Sequence, residues 1–388
     1  MSAGAVAVQR PAGSAAARLD RLTSLRFFAA LAVVAYHAVA AFWPDHPRLV
    51  LLTSSGFTGV TFFYVLSGFV LTWSWRGQRR RDFYRNRVAR VWPLHALTLL
   101  VAVLLGERAG AGATVANALL LHAWVPDPSW YFGLNGVSWS LSCEAFFYAS
   151  FPVLVVLLSR TRSWHWLLVP PTLSAIVLLG STRLSDGTAT WLLYLSPPYR
   201  MLDFVMGILL ALLVRRGAAP RVRLDVALGL LVVGPLLLVA TGRGITRELY
   251  GSPIIGLYDL AVLPGVCALL LAAAGLDAAR TPGWLNRRPL VWLGECSFAL
   301  YMTHQLVFST VSRTLDNRPA AGLLGLLLVV PVSALAHHLV ERPLERRWRV
   351  QKTPGSQRGD AARTAASTVD GPDDSGHETG GPGAMVRR

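Results

Sequence analysis

The chain has 388 residues, of which 53% are hydrophobic and only 15% charged, and its mean hydropathy is +0.45. That balance excludes a soluble globule whose polar residues cover one core, and points to a helical protein that crosses a membrane several times. The net charge of +16 raises nucleic acid as a partner. However, the basic residues cluster between apolar runs and no nucleic-acid module is present, so orientation in a bilayer and attraction to anionic lipid account for the charge.

Residues 1–21 are polar and rich in Ala and Gly, without the apolar core of a signal peptide, and read as a disordered lead-in. Ten stretches then approach the ~20 residues that a bilayer requires. They are Ser24–Trp43, Phe57–Trp75, Val91–Gly106, Leu141–Ser159, Trp164–Thr182, Thr190–Val214, Val226–Thr241, Ile255–Leu276, Leu290–Ser312 and Ala320–Val340. Val115–Val125 is too short to span and reads as an interfacial piece. With the N-terminus inside, the inner loops hold the arginine clusters Arg76–Arg90, Arg160 and Arg162, Arg215–Arg223 and Arg280–Arg288. The outer loops hold only scattered arginines. The expected fold is therefore all-α integral membrane, with about ten transmembrane helices and both termini cytoplasmic. Residues 22–349 form the membrane domain, and residues 350–388, poor in large apolar side chains, read as a disordered tail.

Within this frame a few polar residues sit where apolar ones belong. The first span, LTSLRFFAALAVVAYHA (Leu22–Ala38), carries Arg26 and His37, 11 positions apart, so both project from one helix face about 16 Å apart along the axis. An intramembrane charge is expensive unless it faces a cavity or a partner. The plainer reading is a snorkelling arginine and a hydrogen-bonded core histidine. The loop RRRDFYRNRVARVWP (Arg79–Pro93) is a topology determinant by default. Even so, Arg87 and Arg90 share a face beside Phe83 and Tyr84, which suits the diphosphate of a nucleotide such as coenzyme A. The stretch SWYFGLNGVSWSLSCEAFFYASFP (Ser129–Pro152) places Glu144 just inside a span, where it must pair or be protonated. It faces the same cavity as His37 or an arginine, and the plainer reading is a structural pair with an arginine. Arg200 and Asp203 are three apart and form a same-face ion pair or polar cluster, while Tyr301 and His304 share a face at mid-span. His337 and His338 read as interfacial, and His95, His122 and His165 as solvated segment ends. Cys143, Cys267 and Cys296 read as free thiols, and no metal site is expected. The GxSxG, GxxxxGK[ST], HExxH and CxxC signatures are all missing from the sequence.

Seven stretches together resemble the acyltransferase-3 family of integral-membrane acyltransferases. They are LRFFAALAVVAYH (Leu25–His37), GVTFFYVLSGFVLT (Gly59–Thr72), FYRNRVARVWPLH (Phe83–His95), NGVSWSLSCEAFFYASFP (Asn135–Pro152), RMLDFVMG (Arg200–Gly207), FALYMTH (Phe298–His304) and VERPL (Val340–Leu344). The resemblance covers about Leu22 to Arg349, and the C-terminal SGNH esterase-like domain of many members is not expected here. It implies transfer of an acyl group from cytoplasmic acyl-CoA, acetyl-CoA first, to a hydroxyl of a carbohydrate or glycosylated small molecule, with no permanently bound cofactor. Family members modify cell-surface polysaccharide, lipopolysaccharide or peptidoglycan, and others acylate macrolide antibiotics. The Arg-X10-His motif falls on Arg26 and His37, the paired loop arginines on Arg87 and Arg90, and the Trp-Ser-Leu-x-x-Glu motif on Trp139, Ser140, Leu141 and Glu144.

On that resemblance His37 is expected to act as general base, Glu144 to orient it or the acceptor, and Arg26 to hold the CoA arm or the thioester carbonyl. Arg87, Arg90 and Tyr84 are expected to bind the CoA end. Trp139, Ser140, Arg200, Asp203, Tyr301 and His304 are expected to bind the acceptor. A covalent acyl-histidine is an open alternative to direct transfer. The competing function class is a multi-pass carrier or flippase for a lipid-linked or acylated sugar, which predicts broken helices in matched halves that the sequence does not show.

Overall fold

The structure is a computed structural model and describes residues 19–240 and 254–349. Those residues are helical, without a strand. Ten of the helices have 13 residues or more: α1 (Asp20–Phe42), α2 (Gly59–Ser74), α3 (Arg80–Leu104), α4 (Trp139–Ser159), α5 (Val169–Ser181), α6 (Pro197–Arg215), α7 (Leu224–Leu238), α8 (Ile254–Ala278), α9 (Ser297–Thr314) and α10 (Arg318–Ala336). Each of the ten apolar stretches falls on one of them. With their flanking turns, eight are long and apolar enough to cross a membrane, α7 is a shorter apolar helix, and α9 is polar enough to fall outside that set. The expected lead-in of residues 1–18 and the expected tail of residues 350–388 lie outside the described residues.

Two boundaries differ from the sequence reading. The domain starts earlier than residue 22, because Asp20 and Arg21 already belong to α1. Arg21 is buried and donates from its backbone N to Asp277 Oδ2 (3.0 Å) and from Nη1 to Asp277 Oδ1 (2.9 Å), which fixes the start of α1 on the end of α8. The stretch Leu290–Ser312 is two helices, Arg288–Glu295 and α9, which meet at Cys296. Gly294 explains the break: a Cβ there would lie 1.9 Å from the Thr23 carbonyl, so the short helix seats directly on the backbone of α1 while α9 turns into the bundle. The weak run Val115–Val125 is short, as expected, with a helix at Ala111–Ala118 and a 3-10 turn at His122–Trp124.

Helices in an apolar medium gain little from hydrophobicity against one another, so close association relies on small residues that let backbones approach. The α2–α6 pair does this reciprocally. A Cβ at Gly68 would lie 2.0 Å from the Phe204 carbonyl, and one at Gly207 would lie 1.9 Å from the Val65 carbonyl. Around this contact Tyr64, Phe147 and Phe204 interlock, the Phe147 and Phe204 rings stacked with centroids 4.8 Å apart.

Gly207→Val is expected to force α2 and α6 apart and cost about 1–3 kcal/mol by overpacking. Gly229→Ala in α7, where an added Cβ meets nothing within 4 Å, is expected to leave stability unchanged. Thermal unfolding of the two purified variants in detergent checks the contrast.

Candidate active site

His37 and His304 form the centre of the site. α1 presents His37 and α9 presents His304, and His304 Nε2 lies 3.1 Å from His37 Nδ1. The other nitrogen of His304, Nδ1, is 2.7 Å from the Tyr301 carbonyl, which can only accept. His304 therefore carries its proton on Nδ1 and accepts on Nε2. It follows that His37 carries its proton on Nδ1, shared between His304 and the Val33 carbonyl at 3.0 Å. This assignment leaves the lone pair of His37 Nε2 unclaimed by the dyad. His37 lines a cavity of about 570 Å³ whose wall also includes Glu107, Asn135, Trp139, Tyr194, Tyr301 and Gln305.

The loop that closes this cavity is tied down residue by residue. Asn135 Nδ2 donates to the Met302 carbonyl (2.9 Å) and Tyr301 OH to the Val137 carbonyl (3.2 Å), stitching the start of α4 to α9. Leu134 holds a left-handed φ of 62°. Gly136 passes so close to Gln305 that a Cβ would lie 2.7 Å from its Oε1. Trp139 is buried and packs on Tyr194 with ring centroids 4.9 Å apart.

Toward the arginine-rich end lies a second cavity of about 130 Å³, lined by Arg26, Arg87, Arg90, Glu144, Tyr148 and Phe298 among others. Between the two is a narrow space of about 50 Å³. It shares Arg26, Glu144 and Phe298 with the arginine cavity, and Val60 and Tyr301 with the His37 cavity. Among the described residues, the Arg26 guanidinium makes no hydrogen bond and no ion pair within 4 Å. Arg87 lies over the rings of Phe83 and Tyr148, at 5.9 and 5.8 Å. Glu144 accepts from Tyr148 OH at 2.8 Å.

The structure thus brings together His37, Trp139 and Tyr301 at one cavity and Arg26, Arg87, Arg90 and Glu144 at the other, with Ser140 in the neck. Several sequence expectations are redirected. The partner of His37 is His304, not Glu144, which lines the arginine cavity and the neck but not the His37 cavity. His304, expected to bind the acceptor, is fully buried behind His37 and does not line the His37 cavity. Arg90 is engaged by Glu341 and by Glu345, the latter at 3.0 Å. A π-turn at His337–Glu341 carries Glu341 there, with buried His337 Nδ1 2.9 Å from its carboxylate, while His338 is exposed. Tyr84 is exposed and donates to the Ala149 carbonyl (3.1 Å), and Tyr148 lines the arginine cavity in its place.

Arg200 and Asp203 line none of the three cavities. Arg200 is fully buried and pairs with Asp203 (3.2 Å) and Asp259 (2.7 Å), donates from Nε to the Tyr194 carbonyl (2.6 Å), and lies 4.6 Å from the Tyr194 ring centroid. Thr61 donates to Asp259 at 2.5 Å, so the cluster joins α2, α6 and α8. His95 and His122 are also buried. His95 Nε2 lies 2.9 Å from the Asn117 carbonyl, and His122 Nε2 lies 3.2 Å from Ser138 Oγ. The sequence reading passed over Asp259, Glu107, Tyr148, Glu345 and the pairing of Glu341. The ERP run after α10 was the one visible signal, as a charge at a helix end. Among the described residues, no three His, Cys, Asp or Glu side chains converge to hold a metal.

A family model described as an acyltransferase domain matches residues 19–338. The chain belongs to that acyltransferase-3 family, and is an acyltransferase whose apolar helices make it a membrane protein. Among curated relatives, acyltransferase MdmB of Streptomyces mycarofaciens is 34% identical over 368 residues, covering 85% of this chain and 92% of the relative. The exopolysaccharide production protein ExoZ of Rhizobium meliloti (strain 1021) is 28% identical over 326 residues, 79% of this chain and 95% of the relative. The putative peptidoglycan O-acetyltransferase YrhL of Bacillus subtilis (strain 168) is 24% identical over 364 residues, 83% of this chain, and the match spans 54% of that longer protein. No solved structure matches the chain.

Because Arg200 compensates two buried carboxylates, Arg200→Ala is expected to destabilise the fold by about 3–5 kcal/mol, the cost of stranding buried charge. Arg200→Ala combined with Asp203→Asn and Asp259→Asn is expected to recover part of that loss. Thermal unfolding in detergent reads both, and a stable Arg200→Ala variant that has lost only acceptor affinity would return Arg200 to the substrate site.

Proposed function

We propose that the protein is an acyl-CoA:hydroxyl O-acyltransferase of the cell membrane, with acetyl-CoA as the donor and a carbohydrate or glycosylated small molecule as the acceptor. The observation that carries the reading is the His37–His304 dyad. It fixes one imidazole tautomer with its lone pair unclaimed, beside a cavity that adjoins an arginine-lined one. The names of ExoZ and YrhL, which refer to exopolysaccharide and to peptidoglycan, agree with a carbohydrate acceptor. The arginine-rich loops support a cytoplasmic position for the arginine cavity, the side where acyl-CoA is available, and for both termini.

In this reading the CoA phosphates meet Arg87, aided by Arg26, while Glu341 and Glu345 hold Arg90 in place as a wall of the mouth. The acyl-bearing arm passes the neck lined by Arg26, Ser140 and Tyr301 and brings the thioester carbonyl toward His37. His37 Nε2 takes the proton of the acceptor hydroxyl as its oxygen attacks the carbonyl carbon. The tetrahedral intermediate collapses with cleavage of the C–S bond, and the imidazolium returns the proton to the departing thiolate. The products are an ester and free CoA, with no net change of protons. His304 stabilises the transient charge on His37 by accepting from Nδ1, and it keeps the ring from flipping.

His37→Ala is expected to lower kcat by about 10²–10⁴-fold, the usual worth of a general base. His304→Ala should lower kcat with little change in either KM, and Arg87→Ala should raise the KM for acetyl-CoA and leave the acceptor KM alone. Transfer of radiolabelled acetyl groups by protein in nanodiscs, given pooled cell-envelope and small-molecule acceptors, checks all three. Unimpaired transfer by His37→Ala would overturn the mechanism.

A further inference from the structure

The His37 cavity presents more hydrogen-bond acceptors than the protein satisfies. Asn135 is 1% exposed and lines the cavity. Its amide orientation is set by the Met302 carbonyl, which accepts from Nδ2, so Oδ1 is a buried oxygen with no donor among the described residues. Glu107 is the one carboxylate lining the same cavity. Ser309 Oγ donates to its Oε1 at 3.0 Å and Arg313 donates to that same oxygen, while Oε2 takes no donor among the described residues. Asn135 Oδ1 has no accessible surface, so no ligand in the cavity reaches it, and His37 Nε2 and Glu107 Oε2 are left, among the described residues, as the cavity's acceptors with bonds to make.

We propose that Glu107 Oε2 is a specificity-determining group, accepting from a hydroxyl of the acceptor other than the one acylated. This deepens the acyltransfer reading above and rests on it. Glu107 is part-exposed at the cavity wall, and a ligand that fills the cavity displaces water from Oε2, so a ligand with a hydroxyl placed to donate there is favoured over one that leaves the oxygen unpaired. A pyranose supplies several hydroxyls around a ring whose C–H faces suit Trp139 and Tyr301. The spacing fits as well. Ser309, which fixes Glu107, is five residues beyond His304 on α9, about 7.5 Å along the axis, so the group read by Glu107 lies about a sugar ring away from the reacting hydroxyl. Arg313 already balances the charge of Glu107, which favours a neutral hydroxyl over an ammonium.

The test uses the full-length protein in nanodiscs with labelled acetyl-CoA. Acceptors are methyl pyranosides, their monodeoxy derivatives, amino-sugar pyranosides and a pool of non-carbohydrate alcohols. Glu107→Ala is expected to raise the KM for the best pyranoside about 10- to 100-fold with the KM for acetyl-CoA unchanged, and Glu107→Gln, which keeps an acceptor oxygen, to raise it only about threefold. One monodeoxy derivative should show the same loss with the wild type and no further loss with Glu107→Ala. Arg313→Gln should stay near the wild type, which separates contact with the acceptor from mere anchoring of the mouth. An unchanged acceptor KM in Glu107→Ala, or a full loss in Arg313→Gln, overturns the proposal. Equal losses in Glu107→Gln and Glu107→Ala, seen with amino sugars, would replace the hydroxyl by an ammonium and overturn it in that form. His37-dependent transfer to non-carbohydrate alcohols alone would remove this inference and leave acyl transfer standing. Transfer to no acceptor would remove both.

Discussion

A guanidinium inside an apolar bundle has to be matched by carboxylates or opened to a cavity, and the bundle is organised by how it meets that demand. Arg200 takes the first course. Two aspartates, a carbonyl and an aromatic face enclose it, and the cluster locks α2, α6 and α8 together. Arg26 takes the second, lining two adjoining cavities with no ion pair within 4 Å among the described residues. The same residue type thus serves the fold in one place and the site in the other, and the difference lies entirely in what surrounds it.

The matched cluster and the open site depend on each other. Gly68 and Gly207 bring α2 and α6 into backbone contact, and the aromatic wall built on that pair, Tyr64 with Phe147 and Phe204, backs the neck at Tyr64. Tyr194 packs against Arg200 on one side and Trp139 on the other. A buried, charge-matched cluster therefore stands directly behind the His37 cavity. In the proposed mechanism His37 depends on such support, because a general base displaced by a fraction of an ångström loses its alignment with the hydroxyl.

The sequence carried the polar face of α1 clearly, since Arg26 and His37 are 11 residues apart on one helix and the helical repeat alone puts them on a common side. The apolar stretches also marked where the ten longer helices lie. What could not be read were partners brought together by tertiary packing. His304 lies 267 positions from His37, and Asp259 is 59 from Arg200. The i,i+3 spacing of Tyr301 and His304 did signal a shared face. Its meaning was different, however, because the Tyr301 carbonyl rather than its phenol orients the imidazole. Glu144 misled for a related reason: it is five residues past Trp139 on α4, more than a helical turn, which moves it from the His37 cavity to the arginine one.

That displacement gives the site its division of labour. A thioester is vulnerable to water, and a base near it that is open to bulk solvent would promote hydrolysis as readily as transfer. Here His37 and the arginines line different cavities of about 570 and 130 Å³, and a space of about 50 Å³ lies between them, sharing lining residues with each. In the proposed reaction the acyl-bearing arm fills that space, which then leaves little room for water beside the carbonyl. The roomier cavity then selects what reaches His37 from the other side. Arginines gather at one cavity and the His37 imidazole lines the other, and on the proposed function the first holds the phosphates of the donor and the second receives the acceptor hydroxyl.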